Sequence, residues 1–167
     1  MLDSKILEEM QVYIDSHVIE LKIFNVKSSE YLEDFILEEM QHVELEDFIK
    51  TKRQPTLTQV LFSFIDKKGV SDAEIYKKAG IDRRHFSKMR SNPDYHPKKN
   101  TTIALALALG LNKKETDKLL SSAGYSLSES DISDLVIQFC LEKKIYDIQY
   151  VNEALDYFSM KPLGGVL

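Results

Sequence analysis

The chain has 167 residues, 43% of them hydrophobic and 29% charged, with a formal net charge of −5; that balance is ordinary for a soluble globular protein and is long enough to bury a core without disulfide or metal support. Its single cysteine, Cys140, excludes an internal disulfide, and the surrounding VIQFCLEKK predicts a buried structural thiol. No run approaches the roughly 18 apolar residues of a membrane span, and the acidic start MLDSKILEEMQ lacks the basic segment of a secretory signal, so a cytoplasmic protein with no membrane partner is expected.

In chain order, SKILEEMQVYIDSHVIEL places Ile6, Met10, Tyr13, Ile14, His17, Val18 and Leu21 at spacings of three and four, the apolar face of a helix that Ser4 would cap. The stretch HVIELKIFNV also alternates enough to be read as a strand. SSEYLEDFILEEM predicts a helix capped by Ser28 or Ser29, with Tyr31, Leu32, Phe35, Ile36 and Met40 on its apolar stripe. A polar, basic segment, IKTKRQPT, marks a domain boundary. Next comes TLTQVLFSFIDKKG, a helix stopped by Gly69. SDAEIYKKAG opens with Ser71 and Glu74 as a capping box and stops at Gly80. DRRHFSKMRS is capped by Asp82 and followed by a turn-rich loop. TTIALALALGL predicts a buried helix capped by Thr101 or Thr102; its leucine/alanine alternation mimics a strand, but alanine favours helix. KKETDKLLSSAGY, SDISDLVIQFCLEKK and DIQYVNEALDYF complete the helices. The last two carry more apolar surface than they can hide in each other, which calls for packing on the rest of the chain or for a homodimer.

Charge is distributed unevenly. Residues 1–50 hold 4 Lys/Arg against 13 Asp/Glu, a net of −9, whereas residues 51–104 hold 12 against 5, a net of +7. The excess concentrates in AGIDRRHFSKMRSNPDYHPKKN, at 79–100. Such a cluster in an acidic chain points to a polyanionic partner.

Catalytic patterns are missing. His17 and His42 have no metal-ligand spacing around them, and the adjacent carboxylates Glu8/Glu9, Glu38/Glu39 and Glu46/Asp47 point apart on a helix. There is no nucleophile elbow and no glycine-rich phosphate loop. No enzymatic activity, metal or cofactor is expected. Tyr95 and His96 are expected to brace their loop.

Two short helices, residues 71–79 and 82–91, flank the turn AGI at 79–81. With the five-helix order, the Phe86-Ser87 pair, Pro97 and ALALALGLNKKETDKLL at 104–120, residues 57–124 resemble the lambda-repressor-like, Xre-type helix-turn-helix domain. The wider stretch 57–165, ending FSMKPLGG, resembles an uncharacterised bacterial helix-turn-helix module also found at the C-terminus of some macrodomain proteins. Residues 1–50 are too short and too helical for a macrodomain, so no ADP-ribose chemistry is carried over.

The resemblance implies an all-α fold: an acidic helical region over residues 1–50, a lambda-repressor-like helix-turn-helix domain over 51–124 and a C-terminal helical extension over 125–167. It implies double-stranded DNA binding by a transcriptional regulator, with Arg83, Arg84 and Ser87 reading base edges from the second motif helix. Lys88 and Arg90 would meet phosphates. Lys98, Lys99 and the Thr101 hydroxyl would hold another phosphate at the next helix N-terminus. Proteins of this class read two half-sites about 34 Å apart as dimers, here through either terminal set of helices. Three features depart from the family pattern: Asp72 stands where glutamine often bonds a phosphate, Tyr76 where a small residue is usual, and the loop 91–97 is long. Those departures, with the acidic first third, also suit an alternative, second to DNA binding: a protein-interaction adaptor or inhibitor on the same scaffold, of the phage-defence or counter-defence type. The acidic region would then either shield the basic surface or bind a partner protein.

Overall fold

The computed structural model describes the backbone of residues 4–25 and 29–164 and the side chains of residues 4–16 and 31–164. Among the described residues it is all-α: nine helices and no strand. They are α1 (Ser4–Asn25), α2 (Ser29–Lys52), α3 (Leu57–Lys68), α4 (Asp72–Ala79), α5 (Arg83–Ser91), α6 (Lys99–Ala108), α7 (Lys113–Ser121), α8 (Ile132–Glu142) and α9 (Ile148–Tyr157). No helix is long and apolar enough to cross a membrane among the described residues.

Local chemistry accounts for most boundaries. The Thr56 hydroxyl accepts from the Gln59 amide and the Gln59 side chain accepts from the Thr56 amide, a complete capping box ahead of α3. Asn112 and Glu115 repeat that device ahead of α7. Ser71, Asp82, Asp131 and Asp147 cap α4, α5, α8 and α9 through their side chains. At Ser71 only one half of the box forms, the hydroxyl accepting from the Glu74 amide at 3.2 Å.

Three expectations change. Residues 17–25 continue α1 as helix, which removes the strand reading for the described part of 17–26. Ser4 is already helical instead of capping; the proposed cap Ser28 and the side chains of His17, Val18, Leu21 and Ser29 lie outside the described residues. Neither Thr101 nor Thr102 caps α6. The helix starts at Lys99, and the buried Thr102 hydroxyl donates to the Lys98 carbonyl at 3.0 Å, the back-bond of an interior threonine. That leaves Thr101 in the first turn.

The chain divides into two compact units, Met1–Arg53 and Gln54–Leu167. The first is a hairpin of α1 and α2 with little core: Leu32 is the only buried side chain described in it, while Met10, Tyr13, Phe35, Met40 and Phe48 are all exposed. In the second, α3 to α9 share one core. At its centre is α6, buried over Thr102–Leu107 on all sides, which explains why its leucine/alanine alternation does not define a sheet face. Alanines there let neighbouring helices approach closely. Ile137, Cys140 and Leu141 of α8 and Val151 and Leu155 of α9 join this core. The Cys140 thiol is fully buried, and burial raises its pKa. On the opposite side of α8, Ile132, Leu135 and Phe139 stay exposed.

Candidate functional site

Helices α4 and α5 are joined by a tight turn that begins at Gly80, whose φ of +68° is left-handed and favours glycine. The Gly80 amide donates to the Tyr76 and Lys77 carbonyls, closing α4. Ile81 follows and is buried between the helices. The Asp82 carboxylate accepts from the Arg84 amide at 2.6 Å and starts α5.

α5 is fixed by Phe86 and Met89, both buried. Phe86 meets Phe62 of α3 edge-on at 5.7 Å between ring centres and Tyr76 of α4 at 5.8 Å. Tyr76 is therefore accommodated by an aromatic trio, and no small residue is required at its position. With positions 86 and 89 inward, the helix turns Arg83, Arg84, Ser87 and Lys88 to solvent. None of these four has a hydrogen-bond or ion-pair partner for its side chain among the described residues.

Arg90 is placed differently. Its Nη2 and Nε donate to the two Asp72 oxygens at 2.6 and 3.1 Å, and its guanidinium lies 3.9 Å from the Phe62 ring centre. One side chain thus ties α5 to α4 and rests on α3. The pairing also neutralises Asp72, which as a bare carboxylate would repel a phosphate.

The loop between α5 and α6 is pinned at several points. Thr58 donates to the Pro93 carbonyl at 2.8 Å. Tyr95 Oη and His85 Nε2 share a hydrogen bond of 2.8 Å. His96 Nε2 lies 2.9 Å from the Ala123 carbonyl, which can only accept, so that nitrogen carries the proton. Tyr125 donates to the Pro97 carbonyl at 2.8 Å. Tyr95 and His96 are braces in this arrangement, and the loop's length does not leave it loose.

At the start of α6, Lys98 is exposed and without a side-chain partner among the described residues. Lys99 is engaged: its Nζ donates to the buried Asp134 of α8 at 2.7 Å, and the same carboxylate oxygen accepts from the Ser128 amide at 2.8 Å. The structure therefore separates the eight candidates. Arg83, Arg84, Ser87 and Lys88 gather on one helix face, with Lys98 and Thr101 at the next helix start, whereas Arg90 and Lys99 are committed to carboxylates of the fold. Sequence spacing carried no sign of those commitments, because Arg90 and Asp72 lie 18 residues apart and Lys99 and Asp134 lie 35 apart.

Among the described residues no three His, Cys, Asp or Glu side chains come together as a metal-holding set. Comparison with protein-family models, curated proteins and solved structures finds no match.

Proposed function

We propose that α4 and α5 form an Xre-type helix-turn-helix, and that the protein binds double-stranded DNA with α5 in the major groove, as a transcriptional regulator does. The observation that carries this reading is the division of labour on α5. Arg83, Arg84, Ser87 and Lys88 are presented to solvent without side-chain partners among the described residues, while Phe86, Met89 and the Arg90–Asp72 pair hold the helix still. Two arginines in a helix's first turn work against its dipole. That placement makes sense where a polyanion will meet them. Arginine offers two donors to guanine O6 and N7, and Ser87 a hydroxyl to either base edge. Lys88 and Lys98, with the free amides at the start of α6, anchor phosphates.

The test compares single substitutions in binding to a mixed-sequence duplex and to a selected operator. Arg83→Ala or Arg84→Ala is expected to lower affinity for the selected sequence about 10- to 100-fold while changing mixed-sequence binding less. Lys88→Ala or Lys98→Ala is expected to weaken both alike. Binding unaffected by all four substitutions would sink the reading.

A further inference from the structure

The hairpin of α1 and α2 carries an open groove of about 370 Å³, lined by residues 8, 11, 12, 15 and 16 of one helix and 35, 36, 39, 40 and 43 of the other. Each set follows helical spacing of three and four, so the groove is built from one face of each helix. Its two walls differ in chemistry. The α2 wall is apolar, with Phe35, Ile36, Met40 and Val43, interrupted by Glu39. The α1 wall sets Val12 among polar side chains, Gln11 and Ser16, with the carboxylates Glu8 and Asp15 beside it, Asp15 accepting from Gln11 at 3.0 Å. Glu8, Asp15 and Glu39 are each half-buried, and among the described residues no lysine or arginine lines the groove.

We propose that this groove is the docking site for a basic amphipathic helix of a partner protein. An apolar face would lie on the α2 wall and lysines or arginines would reach the α1 carboxylates, the helix-in-groove mode of recognition. Charge complementarity selects this occupant. The hairpin, residues 1–53, holds 13 Asp/Glu against 6 Lys/Arg. A second copy would set Glu39 and the acidic wall against their own kind, and like charges across an interface are unfavourable. Glu8 also meets Asp47 in a carboxyl–carboxyl contact along the hairpin, where the nearby Lys50 offsets only part of the negative charge. The third helix would add apolar burial to this hairpin, in which Leu32 alone is buried among the described side chains. This proposal stands independently of DNA binding by α5.

The test uses the full chain and a fluorescent synthetic helix of roughly 18 residues, about five turns, leucine on one face and lysine on the other. A scrambled isomer and a version with glutamate in place of lysine are the comparisons. Saturable binding by the patterned basic peptide alone is expected. Glu8→Lys, Asp15→Lys and Glu39→Lys should each weaken it about five-fold, and Met40→Gln should weaken it with no change of charge. Glu38→Lys, on an exposed position outside the groove, should not. Equal loss with Glu38→Lys, equal binding of the scrambled peptide, or no binding would overturn the proposal. So would a dimer in sedimentation that Met40→Glu splits, because the occupant would then be a second copy.

Discussion

Arg90 shows how one residue changes meaning between a sequence and a fold. In sequence it is another cation in a basic run. In the structure it is a clamp holding Asp72 and capping the Phe62 ring. Both side chains of the pair are over a third exposed, so solvent screens the attraction, and bidentate geometry with the aromatic contact is what gives the pair value. A double-mutant cycle in urea unfolding with Arg90→Ala and Asp72→Ala should return a coupling of about 0.5–1 kcal/mol. A coupling of zero would show that the contact contributes nothing to stability. Gly80 is the second residue-scale case. Nothing lies within 4 Å of where a Cβ would stand, so Gly80→Ala meets only backbone strain at φ +68°. The expected loss is about 1–2 kcal/mol, with Gly80→Asn losing less because asparagine tolerates the left-handed region. Equal losses for the two would place the cost elsewhere.

At the scale of elements, helix existence was legible and helix meaning less so. Caps at Ser71 and Asp82 and stops at Gly69 and Gly80 act through bonds within a few residues, and the sequence spells them out. The start of α6 was not legible, because Thr102 spends its hydroxyl on the Lys98 carbonyl inside a helix buried all round. The apolar stripes expected on α1 and α2 face largely outward in the hairpin, since two helices alone cannot enclose them. The candidate face of α5 was readable from Phe86 and Met89, three apart. The withdrawal of Arg90 and Lys99 depends on partners brought together only by tertiary packing. The hairpin also carries a pH dependence. A hydrogen bond with Asp47 first, then its negative charge, raises the Glu8 pKa above the ordinary 4.5. The folded hairpin therefore holds that proton more tightly than the unfolded chain does. The resulting stabilisation is complete below pH 4.5 and is lost as pH rises through the raised folded value. Far-ultraviolet dichroism should show helix content of the wild-type chain rising on mild acidification, with Glu8→Gln, which mimics the protonated acid, flattening that rise. An identical titration in both proteins would contradict the assignment to Glu8.

Across the whole molecule, charge is sorted between the two compact units. Residues 1–53 sum to −7 and residues 54–167 to +2, and four of the second unit's exposed cations, Arg83, Arg84, Lys88 and Lys98, lie on α5 and at the start of α6. An acidic chain can engage a polyanion only through such a local concentration, and the interaction must then respond to salt. The most direct test is fluorescence anisotropy of the full chain on mixed-sequence duplex DNA across a salt series. Each phosphate neutralised contributes about −0.9 to the slope of log K against log salt, so the two phosphate-anchoring lysines, Lys88 and Lys98, predict a slope of roughly −1.8. The slope becomes steeper by about 0.9 for each of Arg83 and Arg84 that meets a phosphate in place of a base edge. A linear decline in that range, lost on combining Arg83→Ala with Arg84→Ala and Lys88→Ala, is the expected result. No binding at low salt, or binding indifferent to salt and to those substitutions, would contradict the assignment of α5 to DNA.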